Sequence, residues 1–229
     1  MFESVADILY HGSPYKFDKF DSSKITNTIY GYGLYFSNNK EVAEGYGKEK
    51  IHYLIIDGVK YTSKMIVDNK LGDDYHNLFD ALGDLSHHTE HKEECEKLIN
   101  LLRNAKSYSQ HNPYYVYVCE IMNDNFLEWG SPLKSKDIMR IIEQIVRENL
   151  EISIPDEWEV SNKLIYKKTS SYPISCQDFY VFLSKVLGTS KEASAFMKRC
   201  GYTGFKNTDS MVIVLDQQDV KIIRVEKHN

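Results

Sequence analysis

The stretch ILYHGSPYKFDKFD, Ile8 to Asp21, carries a short apolar run into a histidine, breaks at Gly12-Ser13-Pro14, and resumes as an aromatic and acidic repeat. The run predicts a strand over Ile8–His11, ended by Gly12, Ser13 and Pro14, because glycine and proline interrupt regular structure. His11 therefore stands where a strand passes into a loop. Taken alone, such a histidine is most simply a half-buried strand cap that hydrogen-bonds a neighbour. A functional role for it needs partners further along the chain.

Working outward, GYGLYFSNN predicts a brief aromatic strand over Leu34–Phe36, loosened at its start by Gly31 and Gly33. NNKEVAEGYG reads as a short helix with Asn38 or Asn39 as its N-cap and Gly45 or Gly47 near its end. Asp57-Gly58 between apolar segments is a favoured two-residue hairpin turn. From Asp73 to Ala105 the pattern is helical and heavily charged, and PYYVYVCEI is the clearest strand of the chain. SPLKSKDIMRIIEQIVRENL is amphipathic, with Ile138, Ile141, Ile142 and Ile145 on one side. Two further helices, in SCQDFYVFLSKVL and SKEASAFMKRC, each open on a Ser cap, and the chain closes with GYTGFKN, MVIVLD and VKIIRV as strands. Strands at both ends with helices between predict an α+β fold in which terminal strands pair across a large sequence separation.

The 229 residues suit one domain with a single core. With 28 basic and 33 acidic residues, the net charge of −5 argues against broad, sequence-independent wrapping of nucleic acid, which needs a concentrated Lys/Arg surface. Cys95, Cys119, Cys176 and Cys200 are far apart and form no CxxC pair, so a reducing, cytoplasmic setting is expected. No stretch approaches 18 apolar residues and the N-terminus has no signal-peptide pattern, so no membrane association is expected.

Several chemistries can be weighed from spacing. His87, His91 and Cys95 fall at i, i+4 and i+8 of a helical pattern. A rise of ~1.5 Å per residue sets the outer two about 12 Å apart, too far for one ion with ligand bonds of roughly 2.0–2.3 Å, so no metal is expected. The two GYG triplets match neither GxxxxGK[ST] nor a GxGxxG running from strand to helix. There is no GxSxG, and no cysteine has a histidine partner in local sequence.

What remains is one pattern in three pieces: YHGS with His11 and Gly12, GLYFSNNKEVAEGYG with Tyr35 and Tyr46, and GYTGFKNTDSMVIVLDQQDVKI with Asp209 and Ser210 ahead of a final strand pair. This combination resembles the ADP-ribosyltransferase superfamily, in its diphtheria-toxin-like His–Tyr–acid branch, and is most similar to versions in phage-encoded and polyvalent proteins. The resemblance extends to FDKFD after YHGS, to YYVYVCEIMNDNFLEWGSPL, and to the Ser/Ala-rich helix before GYTGFKN.

The resemblance implies two small, mostly antiparallel sheets around an NAD cleft, one domain over 1–229, and a helical insertion at about 72–105. NAD is then a co-substrate. His11 would hydrogen-bond a ribose hydroxyl. Tyr35 and Tyr46 would sandwich nicotinamide, whose positive charge in NAD suits aromatic faces, at ~0.5–2 kcal/mol per contact. Gly12 would let backbone groups pair with the carboxamide, and Ser13 and Phe36 would line the same cofactor site. The implied reaction is mono-ADP-ribosyl transfer to a macromolecular acceptor, a host protein or protein–nucleic-acid complex, as in a phage counter-defence or host-takeover factor. Related enzymes commonly carry a Glu at the start of the strand that MVIVLD would form, where this chain has Met211. Three alternatives stand: Asp209 is the catalytic acid, the acid comes from elsewhere, or the site holds NAD without turning it over. Other outcomes are a catalytically silent protein that inhibits a partner by binding, and a hydrolase of NAD.

Overall fold

The structure is a computed structural model that describes residues 8–25, 30–48, 51–62, 78–87, 92–111, 113–152, 155–156, 158–161, 164–168, 173–207 and 210–228. The mixed α+β character expected from the sequence is present. Seven strands form one sheet in the order β12-β6-β1-β2-β11-β10-β7, a larger sheet than the two small ones expected. In chain order these are β1 (Ile8–Ser13), β2 (Leu34–Ser37), β6 (Tyr114–Ile121), β7 (Phe126–Glu128), β10 (Gly204–Lys206), β11 (Met211–Val214) and β12 (Val220–His228). β7 runs parallel to β10, whereas β1, β2, β11 and β10 are antiparallel in turn. Separate from this sheet, β3 (Tyr53–Ile56) lies between β4 (Val59–Tyr61) and β5 (Tyr108–His111), and β8 (Trp158–Ser161) pairs with β9 (Leu164–Lys167).

The chain divides into two compact units: Met1–Tyr10, Asp18–Asn39 and Cys119–Ile223 in the first, and His11–Phe17, Lys40–Val118 and Arg224–Asn229 in the second. The second unit contains α1 (Lys40–Lys48), α2 (Leu78–Ser86) and α3 (Lys92–Asn104). Leu54 and Ile56 of β3 pack with Leu78, Leu82, Leu98 and Leu102 in a core of its own. The Asp57-Gly58 turn forms as expected, with both residues at positive φ (48° and 78°), the conformation a tight hairpin of right-twisted strands requires. The helical stretch expected from Asp73 to Ala105 is two helices, so His87, just past α2, does not share a helix face with Cys95, which sits buried on α3. His91 lies outside the described residues.

The first unit contains α4 (Ser135–Arg147), α5 (Cys176–Val186) and α6 (Ser190–Arg199). Leu183, Ala193, Phe196, Met197, Phe205 and Ile213 share its main core. Ile141 is buried and Ile138 and Ile145 pack against this core, but Ile142 is exposed. Polar residues share the inner face instead: Asp137 and Gln144 are buried on α4, and Asp137 accepts a hydrogen bond from the Tyr202 hydroxyl at 3.0 Å. Ser175 caps α5 as expected, whereas the cap of α6 is Thr189 and Ser190 is its first helical residue. The Tyr180 hydroxyl ties these helices to the strand entry. It accepts the Tyr32 N–H at 2.9 Å and lies 2.7 Å from both the Ser190 carbonyl and the Ser194 hydroxyl, which itself donates to the Tyr32 carbonyl at 2.6 Å. Among the described residues no helix is long and apolar enough to cross a membrane.

At the ends of α4 and α6, Arg199 Nε and Nη2 donate to the two Glu148 carboxylate oxygens at 2.5 and 2.9 Å. The guanidinium holds the Glu148 carboxyl below its usual range. A depressed carboxyl contributes stability above its unfolded-state pKa and loses it as pH falls through the folded-state value. Both groups are partly solvated, so the pair is worth about 0.5–1 kcal/mol. Glu148→Gln is expected to lower the melting temperature by about 1–3 °C at neutral pH. In melts run in acid, the difference from wild type disappears.

Candidate functional site

In the second unit, the strand that carries His11 is overlaid by α1 at unusually short range, and Gly12 permits it. A Cβ on Gly12 would lie 1.6 Å from the Ala43 carbonyl oxygen and 2.8 Å from the Gly47 nitrogen. α1 also meets β6, where a Cβ on Gly47 would fall 2.7 Å from the Tyr114 ring. Two glycines thus set α1 down on the backbone next to His11. Tyr46, adjacent to Gly47, projects from this seated helix with 48% of its surface exposed.

His11 is half-buried and walled by aromatic rings. Its imidazole meets Phe17 edge-on at 6.0 Å and Tyr117 at 6.1 Å, and those two rings stack on each other at 4.0 Å. The Tyr117 hydroxyl accepts the Phe17 N–H at 2.6 Å, and it lies 3.2 Å from the carbonyls of Tyr15 and Phe17. The loop leaving β1 is therefore wrapped on Tyr117, and the wrapping fixes the face that His11 packs against. Ser13 is buried, and its Oγ accepts the Tyr15 N–H at 3.1 Å, which starts the same turn.

In the first unit, Tyr35 sits opposite Ile213 and closes the loop that precedes it. Its hydroxyl donates to the Gly31 carbonyl at 2.7 Å and accepts the Tyr30 N–H at 2.9 Å, while its ring packs against the main core. Phe36 is 2% exposed and packs edge-on against Phe20 at 5.2 Å. Asp209 lies outside the described residues.

The described residues nearest to Asp209 in sequence, Asn207 and Ser210, are each hydrogen-bonded. The Asn207 N–H donates to the Met211 carbonyl at 2.8 Å. Ser210 adopts a left-handed φ of 64°, rare for a non-glycine residue, and its carbonyl accepts the Asn38 N–H at 3.2 Å. Its hydroxyl lies 3.3 Å from that of Ser37, which also accepts the Asn39 N–H at 3.0 Å. Met211 stands directly opposite Ser37, buried, at the head of β11.

The sequence reading missed the wall around His11 and the glycine contact beneath α1. Phe17 is visible as the aromatic of the repeat after Pro14, but its stacking partner Tyr117 is a hundred residues away on a strand with aromatics at three positions. Two other chemistries have no support here. Among the described residues, no cluster of His, Cys, Asp or Glu could hold a metal ion. All four cysteines are buried, and burial pushes the thiols of Cys119, Cys176 and Cys200 up to about 12, so these three are protonated and poor nucleophiles at neutral pH.

The Gly12 contact separates packing from ligand binding. The Ala43 carbonyl is backbone and cannot rotate away, so Gly12→Ala is expected to cost about 3 kcal/mol, at the upper end for overpacking. Thermal melts should show it as a drop of roughly 6–12 °C, whereas Tyr46→Ala, on an exposed side chain, should melt within a degree or two of wild type. A Gly12→Ala protein as stable as wild type would contradict the seating of α1. Compared with known proteins, the chain matches no family model, no curated protein and no solved structure.

Proposed function

We propose that this protein transfers ADP-ribose from NAD to a macromolecular acceptor and releases nicotinamide, on an ADP-ribosyltransferase-type fold. One observation carries the reading: Tyr10 pairs with Ser37, and Ser37 pairs with Met211, in a single row across β1, β2 and β11. His11 follows Tyr10, Tyr35 precedes Ser37 by two, and Asp209 precedes Met211 by two. The strands that carry His11 and Tyr35, and the strand that follows Asp209 in sequence, are thus neighbours in the sheet. That adjacency of the motif strands supports the reading.

The residue types suit the chemistry. Cleavage of the bond between nicotinamide and ribose returns the bonding pair to the ring nitrogen and leaves an oxocarbenium-like sugar, as in glycoside cleavage. His11, oriented by Phe17 and Tyr117, would hold a ribose hydroxyl through a ring nitrogen. Tyr46 would offer its exposed ring to the positively charged nicotinamide of bound NAD. Asp209 would stabilise the developing positive charge by electrostatics. The acceptor then attacks the anomeric carbon as its own proton leaves.

A second reading is favoured by Met211. The residue opposite Ser37 at the head of β11 is a buried thioether, which supplies no charge to the sugar. On this reading the protein holds NAD without turnover and acts by occupying a partner.

The test is incubation with NAD labelled in its adenosine half, in bacterial lysate, with nicotinamide release followed in parallel. Transfer predicts a labelled macromolecule that is lost in His11→Ala and Asp209→Asn. Tyr46→Ala should weaken NAD binding roughly 2- to 30-fold, the loss of one ring contact of ~0.5–2 kcal/mol. Nicotinamide release without label identifies a hydrolase. NAD binding with neither label nor release selects the silent binder.

A further inference from the structure

α1 is a helix that its own sequence does not hold. It runs for nine residues, Lys40–Lys48, as KEVAEGYGK, with Gly45 and Gly47 in its second half. Isolated helices shorter than about 12–15 residues are marginal in water, and glycine is the poorest helix former after proline. The order of α1, and with it the place of Tyr46, must therefore come from what the helix touches. Gly12 on β1 supports it from one side, against Ala43 and Gly47.

Both ends of α1 are also fastened to the far end of β12. All the groups concerned belong to the second unit, which takes in Lys40–Val118 and Arg224–Asn229. At the start of the helix, Lys40 Nζ lies 2.6 Å from Glu226 Oε2, and Arg224 Nε donates to the other oxygen of that carboxylate at 2.9 Å. The Lys40 ammonium, with Arg224 second, holds the Glu226 carboxyl below its usual range, and the same contact raises Lys40. Two residues on, which returns to the same face of a strand, the His228 ring stacks on Tyr114 at 4.7 Å and 11°. Tyr114 is the ring against which Gly47 packs, and Lys48 Nζ stands over it at 5.3 Å. One strand end thus reaches the helix twice, directly at Lys40 and through Tyr114 at Gly47 and Lys48. Tyr46 sits next to the second contact. A solvated ion pair adds little to the stability of a whole chain. These two attachments fall on a helix with little stability of its own, so their effect is local.

We propose that Glu226 and His228 are positioning residues: the end of β12 clamps α1 in its seat and so sets the affinity for the nicotinamide ring at Tyr46, without touching NAD. The part played by NAD rests on the transfer reading above, whereas the clamp itself does not.

The experiment is hydrogen exchange on the full chain, read by mass spectrometry over peptides covering α1 and α3, with NAD affinity measured by calorimetry on the same samples. Glu226→Gln keeps the side-chain shape and removes its charge, and Lys40→Met opens the same contact from the helix side. The expected result is exchange across α1 roughly 5-fold faster in either variant, with α3 of the same unit unchanged. The double variant should be no faster than the singles, since the two groups act on each other. His228→Ala should quicken α1 as well. NAD should bind roughly 2- to 5-fold more weakly to Glu226→Gln, because only the seated fraction of α1 is competent. Added to Tyr46→Ala, the same substitution should cost no further affinity, an outcome that general loosening of the fold would not give. Exchange in α1 that stays the same in Glu226→Gln, or that rises equally in α3, overturns the proposal. A loosened α1 that binds NAD as tightly as wild type overturns it too. A wild type that binds no NAD overturns the transfer reading and the clamp's bearing on NAD, and leaves α1 exchange to decide the clamp.

Discussion

The pairing of β2 with β11 is the constraint on which the motif strands depend. Leu34 to Ser37 meet Val214 to Met211 residue for residue, with most of the chain between them. Several small devices make this close register possible. A Cβ on Gly33 would fall 2.5 Å from Ile213 Cγ2 and 2.9 Å from the Val214 carbonyl, so any side chain there would wedge the strands apart. Tyr35 bolts the preceding loop to itself through Gly31 and Tyr30, and Ser210 accepts a left-handed backbone to reach Asn38. Non-glycine residues in that conformation cost of order 1 kcal/mol and persist where the surroundings demand them. Here the demand comes from Asn38 and Ser37, which tie the head of β11 to the exit of β2.

The second unit solves a different problem, that of laying a helix almost on a strand. Ordinary helix and sheet layers stand off by the length of their side chains. At Gly12 the separation falls to backbone contact, and a second glycine, Gly47, lets the same helix meet Tyr114. The two positions each give up a side chain so that Tyr46 can be held beside the strand that carries His11. This geometry gives Gly12 a packing role in full, and the role expected of it toward a carboxamide would be an addition.

Much of this was legible in the sequence where a local signal coincided with a global one. The Asp57-Gly58 turn, the Ser175 cap and the PYYVYVCEI strand formed because propensity, punctuation and burial agree there, whereas the Ile8–His11 strand runs on through Gly12 to Ser13, so His11 lies inside it rather than at its end. Ile142 escaped because Asp137 and Gln144 take buried positions on α4, Asp137 bonded to Tyr202, which an apolar periodicity does not register. The helical stretch ending at Ala105 divides into α2 and α3, and charge patterning does not mark where one helix yields to the next. At the site, residue identities were readable but their engagements were not. Nothing in GYGLYF says that the Tyr35 hydroxyl is spent on its own loop, or that Phe36 is sealed beneath Phe20. Such facts depend on how side chains are spent in three dimensions, whether on a neighbouring loop as for Tyr35 or on a residue a hundred positions away, as Tyr117 is for His11.

The register of β2 against β11 also sets an order of events during synthesis. Contacts this distant in sequence close slowly, since a long loop must be ordered before they repay it. During synthesis the apolar segment Leu34–Phe36 follows β1, its neighbour on one side, but waits for Met211–Val214, its neighbour on the other. The core of Leu54, Ile56, Leu82 and Leu98 is drawn from a much shorter span and can condense first. The nascent chain therefore carries an aromatic strand with one edge open until β11 is made, and it is at that edge that a holding chaperone would find its natural grip.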